Sequence, residues 1–134
     1  MANRGDTYTV TLRDSHLGWG DYRRTDTRER RDGEAYLPIP ARYAREYEIY
    51  NTNGTGNRDV LGENIFNCQS TDGFLDCRMK AQGCSRAGDC YAKQFSVNDN
   101  LRALGDWYAH VGATVGDQVR VTWLNETDML IEKL

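Results

Sequence analysis

A chain of 134 residues has room for one domain around one hydrophobic core, and 39% apolar with 28% charged residues is the balance of a folded globular protein. Its apolar runs are only a few residues long, which excludes a membrane-spanning helix, and the opening MANRGDTYTV lacks the apolar stretch of a secretory signal. The expectation is a cytoplasmic protein with reduced cysteines and no membrane partner, whose net charge of −3 by itself speaks weakly against nucleic acid.

The first element is a strand, Thr7 to Leu12, alternating and β-branched. From Arg13 to Gly33 periodicity is lost in a polar stretch too long for an ordinary connection; ordered loops of that length usually carry function. Glu34 to Leu37 reads as a short strand. Pro38 and Pro40 then open a helix over Ala41–Glu46, since proline suits a helix start. Tyr47 to Tyr50 reads as a strand, and Asn51 to Asn57 as a turn-rich loop. Three more strands are predicted over Asn64–Gln69, Phe74–Gln82 and Tyr91–Val97, with a polar loop at Gly83–Asp89 between the last two. Asn98, Asp99 and Asn100 supply capping chemistry for a second short helix through Trp107 and His110. Val119, Val121 and Trp123 alternate with Arg120 and Thr122, and Met129 to Leu134 closes the chain as a strand. Trp107, Tyr108 and Trp123 are expected in the core, and Trp19 outside it. The sum is a mainly β domain over residues 1–134, about seven strands and two short helices, pointing to a barrel or sandwich.

Two segments carry candidate chemistry. Of the 17 basic residues, only Lys80, Lys93 and Lys133 are lysines. Arginine is the residue of planar, bidentate contact to phosphate and guanine. Arg23, Arg24, Arg28, Arg30 and Arg31 cluster against only Asp26 and Glu29, close to Trp19 and Tyr22, inside the long polar stretch that also holds Arg13, Ser15 and His16. The alternative is a solvated loop laced with ion pairs. In the second segment, Arg78, Lys80 and Gln82 fall on one face of a strand, with Arg86, Lys93 and Gln94 across the following loop. A basic, polar β-ribbon fits a major groove; the alternative is an ordinary solvent face.

Cys68, Cys77, Cys84 and Cys90 are separated by eight, six and five residues, unlike the two-to-four-residue spacing of zinc knuckles, so they read as free thiols and no metal is expected. No nucleophile elbow, phosphate loop or metal-binding histidine pair is present. Asp128, Glu132 and Lys133 match no common nuclease spacing, and neither histidine has a lysine nearby. No catalytic residue and no cofactor are expected.

The segments Leu37-Pro38-Ile39-Pro40-Ala41-Arg42-Tyr43-Ala44 and Gly116-Asp117-Gln118-Val119-Arg120-Val121 resemble the DNA-binding pseudobarrels. These comprise the plant B-three transcription-factor domains and the effector domains of restriction endonucleases of the EcoRII, BfiI and NgoAVII type. Gly33-Glu34-Ala35-Tyr36 and Leu104-Gly105-Asp106-Trp107-Tyr108 bring the chain closer to the restriction-enzyme branch. The resemblance implies a seven-stranded open pseudobarrel with two short helices. It also implies two arms in the major groove, an N-arm over the stretch from Arg13 to Arg31 and a C-arm from Arg78 to Gln94. The expected function is sequence-specific binding of double-stranded DNA, as the target-recognition part of a restriction endonuclease whose nuclease domain lies in the same chain or complex. The rival expectations are a β-barrel that binds a small ligand or protein, and a small nuclease.

Overall fold

The structure, a computed structural model, describes residues 2–13, 35–56, 58–83, 90–98, 100 and 102–134. Its strands are β1 (Thr7–Thr11), β2 (Leu37–Pro38), β3 (Ile65–Ser70), β4 (Asp76–Gln82), β5 (Gln94–Val97), β6 (Gln118–Trp123) and β7 (Asp128–Lys133). The helices are α1 (Ala41–Glu46) and α2 (Ala103–His110), with a 3-10 turn at Thr52–Thr55. The strands form one sheet in the order β1-β6-β7-β3-β4-β5-β2. Every neighbouring pair is antiparallel except β3 and β7. The sheet is nearly closed into a barrel, with one unsealed seam between β1 and β2, so the expected open seven-stranded architecture with two short helices is the one observed.

The strands form where alternation lets one face be buried. Val119, Val121 and Trp123 of β6 point inward, as do Met129 and Ile131 of β7, Phe66 and Cys68 of β3, and Met79 and Ala81 of β4. Trp123 occupies the centre of the barrel, its ring 5.6–6.5 Å from those of Tyr8, Tyr47, Phe66 and Phe95. Removing a side chain of this size from water stabilises the fold by about 1.5–3 kcal/mol. The three aromatic residues expected in the core, Trp107, Tyr108 and Trp123, are all fully buried.

Three tyrosine hydroxyls hold the seam where no strand ladder does. Tyr8 of β1 donates to Pro38 O of β2 at 3.1 Å, Tyr47 to Thr7 O at 2.9 Å, and Tyr108 of α2 to Tyr36 O at 2.9 Å. Burial pushes the Tyr8 and Tyr108 phenols well above their ordinary values, so they remain neutral donors. Pro38 has no amide to offer, which suits a two-residue strand at an edge.

Two expectations are corrected. Tyr47 to Tyr50 is not a strand. Helix α1 ends there in a left-handed turn at Glu48 (φ 54°), with Glu48 N donating to Arg45 O and Ile49 N to Ala44 O. This pair of bonds caps the last carbonyls and turns the backbone out of the extended region, leaving a single β-bridge, Tyr50 with Tyr91. The second short strand is Leu37–Pro38 and not Glu34–Leu37; Ala35 and Tyr36 precede it outside any strand, Tyr36 O accepting from Tyr108, and Glu34 lies outside the described residues. In α2 the buried Leu104, Trp107 and Tyr108 recur at helical spacing. Among the described residues no helix is long and apolar enough to cross a membrane.

Candidate functional site

Strand β4 alternates as its sequence requires. Met79 and Ala81 are buried in the barrel, while Arg78 is exposed and Lys80 and Gln82 half-buried on the outer face. The register adds β5 to that face, because Gln82 pairs with Gln94 and Lys80 with Ser96. Lys93 stands exposed at the rim. Its amide donates to Gln82 O at 2.7 Å, and its carbonyl accepts from Ile39 N at 2.9 Å. Arg78, Lys80, Gln82, Lys93 and Gln94 are therefore brought together on the outside of β4, β5 and the start of α1.

Local charge divides these residues. Lys80 Nζ lies 3.4 Å from Asp59 Oδ1, so its charge is already answered. Arg78 and Lys93 have no ion pair among the described residues, although Asp76 sits two residues from Arg78 on the same face. Asn67 and Gln69 of β3 extend the face beside Arg78 and Asp76. The Asn67 amide is committed to Asp128 Oδ1 at 2.8 Å. Among the described residues buried Ser96 has no hydrogen-bond partner for its hydroxyl. Alternation within β3 turns Asn67 and Gln69 outward, but only the cross-strand register sets them next to β4, which is why the sequence did not bring them into the site.

The residues that flank positions 84–89 rest on a buttress built from 51–64. Asn51 N donates to Cys90 O at 2.9 Å, its side-chain amide donates to Tyr91 O at 3.3 Å, and its Oδ1 accepts from Asn53 N at 2.9 Å. Asn64 accepts from Val60 N and donates to Arg58 O, holding the other limb of that loop. The packing is close enough to demand glycine twice. A Cβ on Gly83 would stand 2.9 Å from Asn51 Nδ2, and one on Gly54 would stand 2.8 Å from Cys90 O. Tyr50 and Tyr91 stack beside this flank with ring centres 5.7 Å apart.

Strand directions separate the two candidate arms. Since β1, β3, β5 and β7 run one way and β2, β4 and β6 the other, β1 ends and β2 begins at one end of the barrel, while β4 ends and β5 begins at the opposite end. Exposed Arg13 follows β1 at the first end, where Leu12 is fixed by Asp117 O and Gly116 N. Gly83 and Cys90 stand at the second. Ser15, His16, Trp19, Tyr22, Arg23, Arg24, Arg28, Arg30, Arg31 and Arg86 lie outside the described residues, as does Cys84. Between the two ends runs β5, whose four residues rise about 13 Å.

Cys68, Cys77 and Cys90 are free thiols, and among the described residues no group of acidic, histidine or cysteine side chains could hold a metal ion. No family model matches this sequence, and neither the curated proteins nor the solved structures provide a significant match to the chain.

Proposed function

We propose that this chain is a sequence-specific double-stranded DNA-binding domain, a pseudobarrel of the kind that reads the target for a restriction endonuclease. In this reading the nuclease centre belongs to another domain, in the same chain or in a complex. The observation that carries the proposal is the placement of outward Arg78, Gln82, Lys93 and Gln94 between two opposite ends of one barrel side, each end continuing into an arginine-bearing segment. A duplex held by both segments would lie along the outer face of β4, β5 and β2 and not across one barrel end. The rise of β5 is close to the width of a major groove, about 12 Å. Arg78 supplies the fork that suits a guanine edge, and Gln82 and Gln94 the amides that suit adenine. Lys93 at the rim suits a phosphate.

The filled interior weighs against a small-ligand barrel. Trp123, Tyr8, Phe66, Phe95 and Met79 occupy the space a lumen would need.

The test is selection of bound sequences from a pool of random duplexes at low and at physiological salt. The proposal expects a short consensus and an affinity that falls steeply with salt, since each neutralised phosphate adds about 0.9 to the logarithmic slope. No binding at low salt overturns it, and binding without a consensus removes sequence reading from the function.

A further inference from the structure

We propose that Cys68 and Cys77 form a reversible intramolecular disulfide, making the β3–β4 hairpin a thiol-redox modification site. The two residues are direct cross-strand partners in an antiparallel ladder. The bonds Ala81 N to Asn64 O (2.8 Å) and Ser70 N to Leu75 O (2.9 Å) mark those positions as hydrogen-bonded pairs. Since pair type repeats every second residue, Cys68 and Cys77 make another such pair, with a Cα separation of about 5.5 Å. That is the commonest spacing for bridged cysteines. Both side chains lie on the inner side of the sheet, with Cys68 in the core and Cys77 packed against it.

The pair is asymmetric in the way a nucleophile and its resolving partner are. Cys68 is only 1% exposed, whereas Cys77 is half-buried and within reach of a small reagent. The neighbouring Cys68 sulfhydryl holds the Cys77 thiol below its ordinary value, while its bond to Cys77 and its own burial push Cys68 up. Thiolate character and access both select Cys77 for the first attack.

The oxidant is a low-molecular-weight disulfide. The Cys77 thiolate attacks one of its sulfurs, forming a mixed disulfide and releasing one small thiolate. Cys68 then attacks the Cys77 sulfur, the protein S–S bond forms, and the second small thiolate leaves. The two protons shed by the cysteines end on the two released thiols, so the protein loses two electrons and two protons and the reagent gains them. Closing the bridge pulls the Cβ atoms together from the wider spacing of a hydrogen-bonded pair, which favours a bond of the labile, readily reduced kind.

The experiment incubates the full chain with oxidised glutathione and maps its cysteine peptides by mass spectrometry in an acid-quenched time course. A glutathione adduct on Cys77 should appear first, followed by a Cys68–Cys77 peptide lighter by two hydrogens, which dithiothreitol reverses. In Cys68→Ala the Cys77 adduct should accumulate without resolving. In Cys77→Ser, Cys68 should stay unmodified, an arm that remains informative if Cys68→Ala does not fold. Bridging of Cys77 to Cys84 or Cys90, or a Cys77 that reacts no faster than Cys90, overturns the proposal.

Discussion

The barrel has two outer faces that carry basic residues, and they differ in how those residues are satisfied. On the β6–β7 face Arg120 is ion-paired with Glu132 and Thr7 shares a hydrogen bond with Thr122, while Lys133, which the register sets opposite inward Val119 at the end of β7, has its Nζ 3.6 Å from Asp117 Oδ2. On the β4–β5 face Arg78 and Lys93 have no such partner among the described residues, and two glutamine side chains stand beside them. Both faces belong to strands of the same sheet and show the same alternation. A basic residue on a strand is thus no signal in itself. The signal is a cation that the fold positions and leaves unanswered, which among the described residues is absent from one face and recurs at two positions on the other.

The largest expected effect is the control on the inner side of the same ribbon. Met79→Ala should destabilise the fold by about 2–5 kcal/mol through the lost side chain and the cavity it leaves, read as a shift of the denaturation midpoint. Its outward neighbour should do the reverse. Arg78→Ala is expected to change stability by no more than about 0.5 kcal/mol and to weaken binding of the selected duplex by about 1–3 kcal/mol, relaxing one base position. Arg120→Ala on the paired face should leave that binding unchanged. Equal binding losses from both arginines would erase the distinction between the faces.

Smaller effects sharpen it. Lys93→Ala should weaken all duplexes alike and lower the salt slope by about one unit, as expected of a phosphate contact. Asp59→Asn should release Lys80 from its partner and tighten DNA binding by about 0.2–1 kcal/mol, the ordinary worth of such a surface pair. Acid should act on the carboxylates that the fold holds by hydrogen bonds. The amide of Thr114, followed by the Lys133 charge, holds the Asp117 carboxyl below its ordinary value, and Asp128 is lowered by Asn67 and Asn125. Asp72 is lowered chiefly by the Ser70 hydroxyl, and then by the Phe74 amide and the Trp107 indole. A carboxyl depressed in the fold contributes stability above its unfolded value, about 3.9 for aspartate, and that contribution is lost as pH falls through the lower folded value. Melting temperature should therefore decline below about pH 4, and the decline should be shallower in Asp72→Asn.

Much of the barrel was legible because burial alternates. Val119, Val121 and Trp123, or Met79 and Ala81 between Arg78, Lys80 and Gln82, declare their faces without any tertiary information. The segment Tyr47–Tyr50 misled because its β-favouring residues follow a helix whose end is set by a left-handed Glu48, a backbone state that no side-chain pattern announces. The outward position of Arg78 could be read, but its lack of an ion pair among the described residues and the capture of Lys80 by Asp59 could not, since Asp59 comes close only through the fold. The opposite-end placement of the two flanks was equally hidden. It depends on the one parallel pairing, β3 with β7, between strands about 60 residues apart in sequence.

The most direct test is an amide chemical-shift titration of the chain with its selected duplex. The largest perturbations are expected at Arg78–Gln82, Lys93–Ser96 and Leu37, with the β6–β7 residues Arg120, Thr122 and Glu132 unmoved. Perturbations centred on β6 and β7, or confined to one end of the barrel, would contradict a duplex lying along the β4–β5–β2 face.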